Sequence, residues 1–189
     1  AISLVNTLAW AAALYYLVHS TIIAAAFYIL SGWITSQRGE FKDHFKIAPQ
    51  MKQHKVVALT YFTIALMMAG LPPFSGFLGK VFILQATAET AYQGWIIAII
   101  LIVSLLSILA LTRVGFILFW RASPPEIDPN EAAYQTYQGL PAYAPNRNDT
   151  AIYIILAGLM AYVVFASPIQ TYTVLTAQQI QNHALYNQA

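Results

Sequence analysis

Two side chains that can carry protons lie inside long apolar segments of this 189-residue sequence, Lys80 and His19. Lys80 precedes the end of its segment, near residue 88, by about two helical turns, so an extended side chain would hardly reach the interface. A charge at that depth in a membrane costs at least about 2.5–3.5 kcal/mol. Because a low-dielectric environment disfavours the charged amine, such a lysine can exchange protons. The alternative is an inert ion pair with an acid elsewhere.

His19 lies near the centre of an earlier apolar segment, close to Ser20 and Thr21 and one turn after Tyr15 and Tyr16. Histidine titrates near pH 6.5, so small changes in its surroundings reverse its charge. A histidine in this position serves equally well as a hydrogen-bonding contact between helices. Taken together with Lys80, it predicts a proton relay.

The residues just before Lys80 interrupt a regular helix, because residues 70–80 read GLPPFSGFLGK. Pro72 and Pro73 lack a backbone N–H and force Leu71 out of helical geometry. Three glycines permit unusual backbone angles and close packing, namely Gly70, Gly76 and Gly79. We predict two half-helices joined by a short bridge. A bridge at membrane depth is tolerated only where it is buried in protein or lines a wet cavity.

Other polar groups near the apolar segments have simpler explanations. Arg113 can extend to the interface at the end of its segment, so we assign it to topology anchoring rather than to a proton pathway. Glu89 follows Lys80 closely and is interpreted as a surface acid, with an exit-side proton acceptor as the alternative. Ser104, Ser107 and Thr112 are interpreted as packing contacts between helices.

The amino-acid composition indicates the class of protein in which these groups lie. Hydrophobic residues make up 59% of the chain and charged residues 8%, against roughly 45–50% and about 25% in soluble proteins. So few charges exclude a soluble monomer, and a net charge of +2 excludes a nucleic-acid binder. Cysteine is absent, which excludes disulfides and cysteine-ligated metal centres. Without a P-loop or dinucleotide motif, we expect no cofactor, no metal site and no enzymatic catalysis.

The apolar segments predict an all-α integral membrane protein with four transmembrane helices, the second of them broken at Pro72–Pro73. Each crossing needs about 20 mostly apolar residues. The predicted spans are residues 1–35, 56–88, 95–120 and 150–175. A basic loop at 36–55, a turn at 89–94 and a proline-rich loop at 121–149 connect them, and a polar tail follows at 176–189.

The positions of Lys and Arg orient these spans. The loops 36–55 and 121–149 together contain seven of these residues, whereas the turn 89–94 and the tail contain none. The positive-inside rule therefore predicts that both loops are cytoplasmic and that both termini lie outside. Since the chain begins without Met or a positive n-region, we expect a piece of a longer protein rather than a signal peptide.

Two stretches of the sequence together resemble a known family. ALYYLVHSTIIAAAFYILSG, a basic loop and then TIALMMAGLPPFSGFLGKVFILQ follow one another. This order resembles the antiporter-like membrane subunits shared by respiratory complex I and the multisubunit Na⁺/H⁺ (Mrp-type) antiporters, with the D-type subunit of the latter as the nearest likeness. The resemblance implies the C-terminal portion of a fourteen-helix antiporter-like fold, from the eleventh helix to the last.

The resemblance also assigns roles to the two titratable residues. It implies that His19 corresponds to the histidine of the family's eleventh helix and Lys80 to the lysine or glutamate of its twelfth. Several relatives carry a further lysine shortly after the histidine, where this chain has Ile22, Ile23 and Ala24. That difference shortens the relay and weakens an assignment to complex I.

We therefore expect the proton-translocating part of a multisubunit Na⁺(K⁺)/H⁺ antiporter subunit in a bacterial inner membrane. Its expected partners are other antiporter subunits, the lipid bilayer, protons and a monovalent cation, with no nucleic acid. One alternative is a proton-pumping subunit of NADH:quinone oxidoreductase or of a membrane-bound hydrogenase, which would make it part of a translocase. The other is a four-span scaffold that transports nothing.

Overall fold

The computed structural model describes residues 6–38, 51, 53–120 and 147–182, and these residues contain helices but no strand. The helices are α1 (Thr7–Ser36), α2 (His54–Ala69), α3 (Ser75–Ala86), α4 (Gln93–Gly115), α5 (Arg147–Val164) and α6 (Ala166–Gln181). A π-helical turn, Phe116–Trp120, continues α4 directly. The predicted all-α class is therefore confirmed for the part of the chain that the structure describes.

Two of the described helices are long and apolar enough to cross a membrane, α1 and the helix formed by α4 with its π-helical turn. Helices α5 and α6 would form a third span if this pair, which is bent by 78°, counts as one. Helices α2 and α3 are shorter apolar helices of 16 and 12 residues. These findings support a helical membrane protein, and the four crossings and the fourteen-helix fold stay predictions.

The fourth predicted span is not one continuous helix. Helix α5 ends at Val164 and α6 begins at Ala166, whereas a single span was predicted over residues 150–175. The reason is Pro168, which has no N–H to donate to the Val164 carbonyl four residues earlier. On either side of that position the backbone bonds are kept, with Phe165 N–H donating to Ala161 O at 2.9 Å and Ile169 N–H to Phe165 O at 3.1 Å.

Helix α6 extends into the predicted polar tail and ends at Gln181. Alanine and glutamine are good helix formers, and the stretch 176–181 reads TAQQIQ. Ala177 is completely buried, and Gln181 Oε1 accepts a hydrogen bond of 2.5 Å from the Thr7 hydroxyl. The end of α6 is thus bonded to the beginning of α1.

Most of the two longer loops lies outside the described residues. This applies to positions 39–50 and 52 of the basic loop and to positions 121–146 of the proline-rich loop, as well as to 1–5 and 183–189. The sides of the membrane assigned to these loops and to both termini stay predictions.

The chain divides into two compact units. The first contains Ala1–Ile23, Leu66–Ser107 and Ala157–Ala189. At its centre the Tyr15 ring meets Phe82 edge-on at 4.9 Å and lies 4.7 Å from the ring of Tyr162. The Tyr162 hydroxyl donates to the main-chain carbonyl of Tyr15 at 3.1 Å. These contacts join α1, α3 and α5 around the residues that the sequence singled out.

The second unit contains Ala24–Ala65 and Ile108–Leu156 and is built around an aromatic cluster. The rings of Tyr61 and Phe119 lie 5.4 Å apart, and the Tyr61 hydroxyl donates to the Leu111 carbonyl at 2.7 Å. A Cβ atom at Gly115 would lie 2.8 Å from the Tyr61 ring and 2.9 Å from that of Phe62. A side chain at Gly115 would thus force α4 away from these rings.

Candidate functional site

The helix break in the first unit forms a complete backbone turn. Gly70 has a φ of 73°, a left-handed conformation that a glycine adopts without strain. Its N–H donates to the carbonyls of Leu66 and Met67 at 3.1 and 3.2 Å, and the N–H of Leu71 donates to Leu66 O at 3.2 Å. This is the Schellman pattern that ends many helices. Helix α2 therefore stops at Ala69 through its own hydrogen bonds.

The bridge from Gly70 to α3 is short. Pro72 and Pro73, which are joined by a cis peptide bond, are exposed on the surface of this chain. Phe74 N–H donates to Leu71 O at 3.0 Å, and α3 begins at Ser75 without a side-chain cap. The first N–H groups of a helix lack a partner one full turn earlier within it. The break thus places the carbonyl end of α2 and the amide end of α3 near each other.

Lys80 points back from α3 to the end of α2. Its ammonium donates one hydrogen bond to the Ala69 carbonyl at 2.5 Å and another to the Ser104 hydroxyl oxygen at 2.8 Å. Ala69 is the last residue of α2, and the carbonyls at such an end carry a partial negative charge. Two of the three ammonium N–H groups are thereby used. The lysine caps the first half-helix with a positive charge.

His19 approaches the same break from α1, at the first residue of α3. It is 1% exposed, and its Nδ1 lies 2.9 Å from the Ser75 hydroxyl oxygen, in a hydrogen bond whose direction depends on the tautomer of the ring. Nε2, the other ring nitrogen, faces Gly76, where a Cβ atom would lie 2.9 Å away. The His19 ring also lies 5.9 Å from that of Tyr16. One nitrogen therefore joins two helices, while the other faces the break.

Two glycines, Gly70 and Gly76, lie between the histidine and the lysine. A Cβ atom at Gly76 would meet the Met67 carbonyl and lie 3.2 Å from the Cα atom of Gly70. A Cβ atom at Gly70 would in turn lie 2.6 Å from Lys80 Nζ. The backbone of Gly70 and Gly76 thus lies between the two titratable groups, and we call this backbone the glycine-lined edge. Gly79 has a different function, since a side chain there would collide with the ring of Tyr16 at 2.8 Å.

No acid with a described side chain neutralises Lys80. Glu89 is the one acid whose side chain the structure describes, and it is exposed in the turn between α3 and α4. Within the described residues there is also no group of three or more His, Cys, Asp or Glu that could hold a metal ion.

Arg113 and Glu89, the two remaining candidates, are not part of this arrangement. Arg113 is exposed in the last turn of α4 and belongs to the second unit. Glu89 belongs to the first unit, without a contact to Lys80 among the described residues. Neither one shares the helix break with His19.

Two residues of the site were not singled out as functional from the sequence. Ser104 was interpreted as a packing residue, but its hydroxyl contacts the lysine. Ser75 is 1% exposed and bonds to the histidine. Each is a small polar residue in apolar surroundings, which is the one signal that the sequence offered. Their partners lie 24 and 56 residues away along the chain, a separation that no local pattern encodes.

The fold and the site define a helical membrane protein with a positively charged, broken helix. The family model described as NADH:quinone oxidoreductase/Mrp antiporter, TM matches residues 1–109. Since the match covers more than half of the chain, including the break, His19 and Lys80, the chain belongs to this family. The resemblance drawn from the sequence motifs is thus confirmed.

Several curated proteins that are similar to this chain are subunits of cation/proton antiporters. The Na(+)/H(+) antiporter D-type subunit of Bacillus subtilis (strain 168) is 33% identical over 129 residues, covering 68% of this chain and 25% of that protein. Its counterpart from Alkalihalophilus pseudofirmus is 34% identical over 113 residues, or 60% and 22%. A probable K(+)/H(+) antiporter D-type subunit of Rhizobium meliloti is 27% identical over 140 residues, or 58% and 26%. The chain spans about a quarter of the length of these relatives.

Proposed function

We propose that this chain is the proton-translocating part of a D-type subunit of a multisubunit cation/proton antiporter, and that Lys80 and His19 carry the protons. One observation carries the proposal: both groups bind the same helix break, one at the end of α2 and the other at the start of α3. Lys80 bonds to Ala69 at the end of α2, and His19 bonds to Ser75 at the start of α3. The family match and the names of the relatives support the same conclusion.

The geometry suggests how a proton moves. In its charged form Lys80 is held by two acceptors, one of them the main-chain carbonyl of Ala69, which has no hydrogen to donate. Loss of the proton weakens this hold, because the neutral amine is a poorer donor than the ammonium. His19 Nε2 faces the glycine-lined edge that leads to the amine. His19 therefore supplies or removes the proton across this edge.

The energetic reason for the break is the cost of the charge. An isolated ammonium in hydrocarbon is expensive, and irregular backbone supplies carbonyl groups that a continuous helix would use internally. Discontinuous helices serve ion sites in secondary transporters in the same way. Inside the membrane, the Ala69 carbonyl thus accepts the hydrogen bond that the ammonium group would give to water at the surface.

We infer the transported cation and the partner subunits from the names of the relatives, which specify Na⁺/H⁺ or K⁺/H⁺ antiporters. We infer that the protein works in a bacterial inner membrane together with other antiporter subunits, with the loops 36–55 and 121–149 on the cytoplasmic side. No carboxylate cluster lies in the predicted spans, so we assign the cation site to another part of the complex. Proton flow would drive cation export without a bound nucleotide.

The experiment that tests this proposal is Lys80→Ala in the full-length protein within its assembled complex. Cation-dependent proton movement is measured in everted membrane vesicles with a fluorescent probe of the pH gradient. We expect transport to be lost while native gel electrophoresis shows an intact complex. Lys55→Ala is the matched control, because Lys55 is an exposed lysine at the start of α2. Undiminished transport by the Lys80→Ala complex would overturn the proposal.

A redox-driven proton pump is the second candidate, and the family description supports it, because that description covers NADH:quinone oxidoreductase as well as Mrp antiporters. The same lysine would carry protons in both kinds of complex. Purification of the tagged full-length protein with its partners distinguishes the two candidate functions. Small membrane partners without redox centres support the antiporter, whereas iron–sulfur and flavin subunits support the pump.

A further inference from the structure

Ser104 is the side chain that connects Lys80 to a third helix. It lies on α4, and its Oγ accepts a hydrogen bond of 2.8 Å from Lys80 Nζ. The same hydroxyl donates its hydrogen to the Ile100 carbonyl, one turn earlier on α4, at 2.6 Å. Both groups belong to the first unit. The lysine is thus bound to α2 through a carbonyl and to α4 through a hydroxyl.

The chemistry of these two acceptors differs. A main-chain carbonyl only accepts hydrogen bonds, so Ala69 favours an amine that donates to it. A serine hydroxyl has one hydrogen and two lone pairs and can rotate about its C–O bond. Rotation away from Ile100 leaves that carbonyl with its ordinary helical hydrogen bond from the backbone four residues later. The Ser104 hydroxyl can therefore accept from the ammonium and, once turned, donate to the lone pair of the neutral amine.

We propose that Ser104 is a positioning residue that holds the Lys80 amine in place in both its protonated and its neutral form. This inference rests on the proposed function, since it assigns to Ser104 the control of a proton-carrying lysine. Without the hydroxyl, the neutral amine has no donor at this position among the described side chains that it contacts. The flexible lysine then leaves the glycine-lined edge that faces His19 after each deprotonation, and proton return becomes slow.

Helix α4 supplies a matched control. Ser107 lies one turn further along the same helix, and its hydroxyl donates to the Val103 carbonyl at 2.7 Å, just as Ser104 donates to Ile100. The described contacts of Ser107 do not include Lys80. A purely helical role of the hydroxyl would affect both serines alike, whereas the positioning role applies to Ser104 alone.

The test compares Ser104→Ala, Ser104→Thr and Ser107→Ala in the full-length protein within its complex. The measurement is cation-dependent proton movement in everted vesicles at several cation concentrations. A hydrogen bond to a charged group corresponds to about a tenfold to hundredfold effect. We expect Ser104→Ala to lower the maximal rate by such a factor with little change in the apparent KM for the cation. Ser104→Thr, which keeps the hydroxyl, restores the rate, and Ser107→Ala leaves it unchanged.

Equal rates for Ser104→Ala and Ser107→Ala would overturn the inference, as would a Ser104→Thr complex that is assembled but as slow as Ser104→Ala. If the Ser104→Ala complex fails to assemble, Ser104→Cys replaces it, since a thiol keeps the size of the side chain but is a weak hydrogen-bonding group. A Ser104→Cys rate equal to wild type would then overturn the inference, and a reduced rate would support it. Loss of transport in Lys80→Ala combined with normal transport in Ser104→Ala leaves the proposed function intact and refutes only the role of Ser104.

Discussion

The ammonium of Lys80 donates a hydrogen bond of 2.5 Å to the carbonyl of Ala69, eleven residues earlier in the chain. A side chain of the second half-helix therefore caps the end of the first. The proposed function therefore gives Lys80 two separable roles, a positive charge that stabilises the helix end and a proton that is released.

Replacing Lys80 by Arg separates these two properties. Arginine keeps its positive charge at all relevant pH values, so it can still cap α2, but it cannot release a proton. We expect Lys80→Arg to assemble normally and to show no cation-dependent proton movement. The measurement combines native gel electrophoresis with the vesicle assay. Transport at the wild-type rate by this variant would show that the proton does not pass through residue 80.

Ser75→Ala tests the hydrogen bond of the histidine. Removal of the hydroxyl leaves the buried Nδ1 of His19 without its partner, at a cost of about 1–3 kcal/mol. We expect a lower unfolding temperature of the purified complex and slower proton transport. Ser20→Ala is the control, because the Ser20 hydroxyl bonds to the Leu17 carbonyl on its own helix. If both variants behave like wild type, the contact between His19 and Ser75 does not hold the imidazole in place.

Gly76→Ala tests the close approach of α3 to the break. The added methyl group would meet the Met67 carbonyl and His19 Nε2, and such overpacking costs about 1–3 kcal/mol. We expect less assembled complex and reduced transport. At Gly158 in α5 a Cβ atom would meet nothing within 4 Å, so Gly158→Ala is expected to be neutral or stabilising. Quantitative immunoblotting of the assembled complex compares the two, and equal yields would contradict the packing described here.

Removal of the hydroxyl group is expected to have opposite effects on stability at Tyr162 and at Tyr15. Tyr162→Phe removes the hydrogen bond to the Tyr15 carbonyl and should cost about 0.5–1.5 kcal/mol. The buried hydroxyl of Tyr15 has no partner among the described residues, so Tyr15→Phe should be neutral or stabilising. Thermal unfolding of the purified complex measures both. A destabilised Tyr15→Phe complex would mean that this hydroxyl is bonded in the assembled protein.

The bend between α5 and α6 shows that part of the fold was predictable and was missed. Pro168 stands in the sequence, and its missing N–H is sufficient to interrupt a helix. The apolar character of the segment favoured one continuous span, whereas the structure has an angle of 78° between two helices. Helix α6 also extends into the segment with polar composition and ends at Gln181.

The sequence by itself determined the local properties of this protein. Glycine, leucine and two prolines at positions 70–73 end a helix through backbone geometry alone, and a lysine seven residues further on brings a charge into apolar surroundings. The same residues, together with those around His19, also identified the family. Such features depend on neighbours within a few positions, which is the range over which backbone sterics and helical periodicity act.

Only the tertiary structure decided which groups surround the two titratable residues. Ser104 reaches Lys80 from 24 positions away, and Ser75 reaches His19 across 56 positions. These contacts depend on how whole helices pack, and the ring contacts of Tyr15 with Phe82 and Tyr162 are part of that packing. A hydroxyl group has no property in the sequence that distinguishes Ser104 from Ser107. The position of its helix beside the amine makes that distinction.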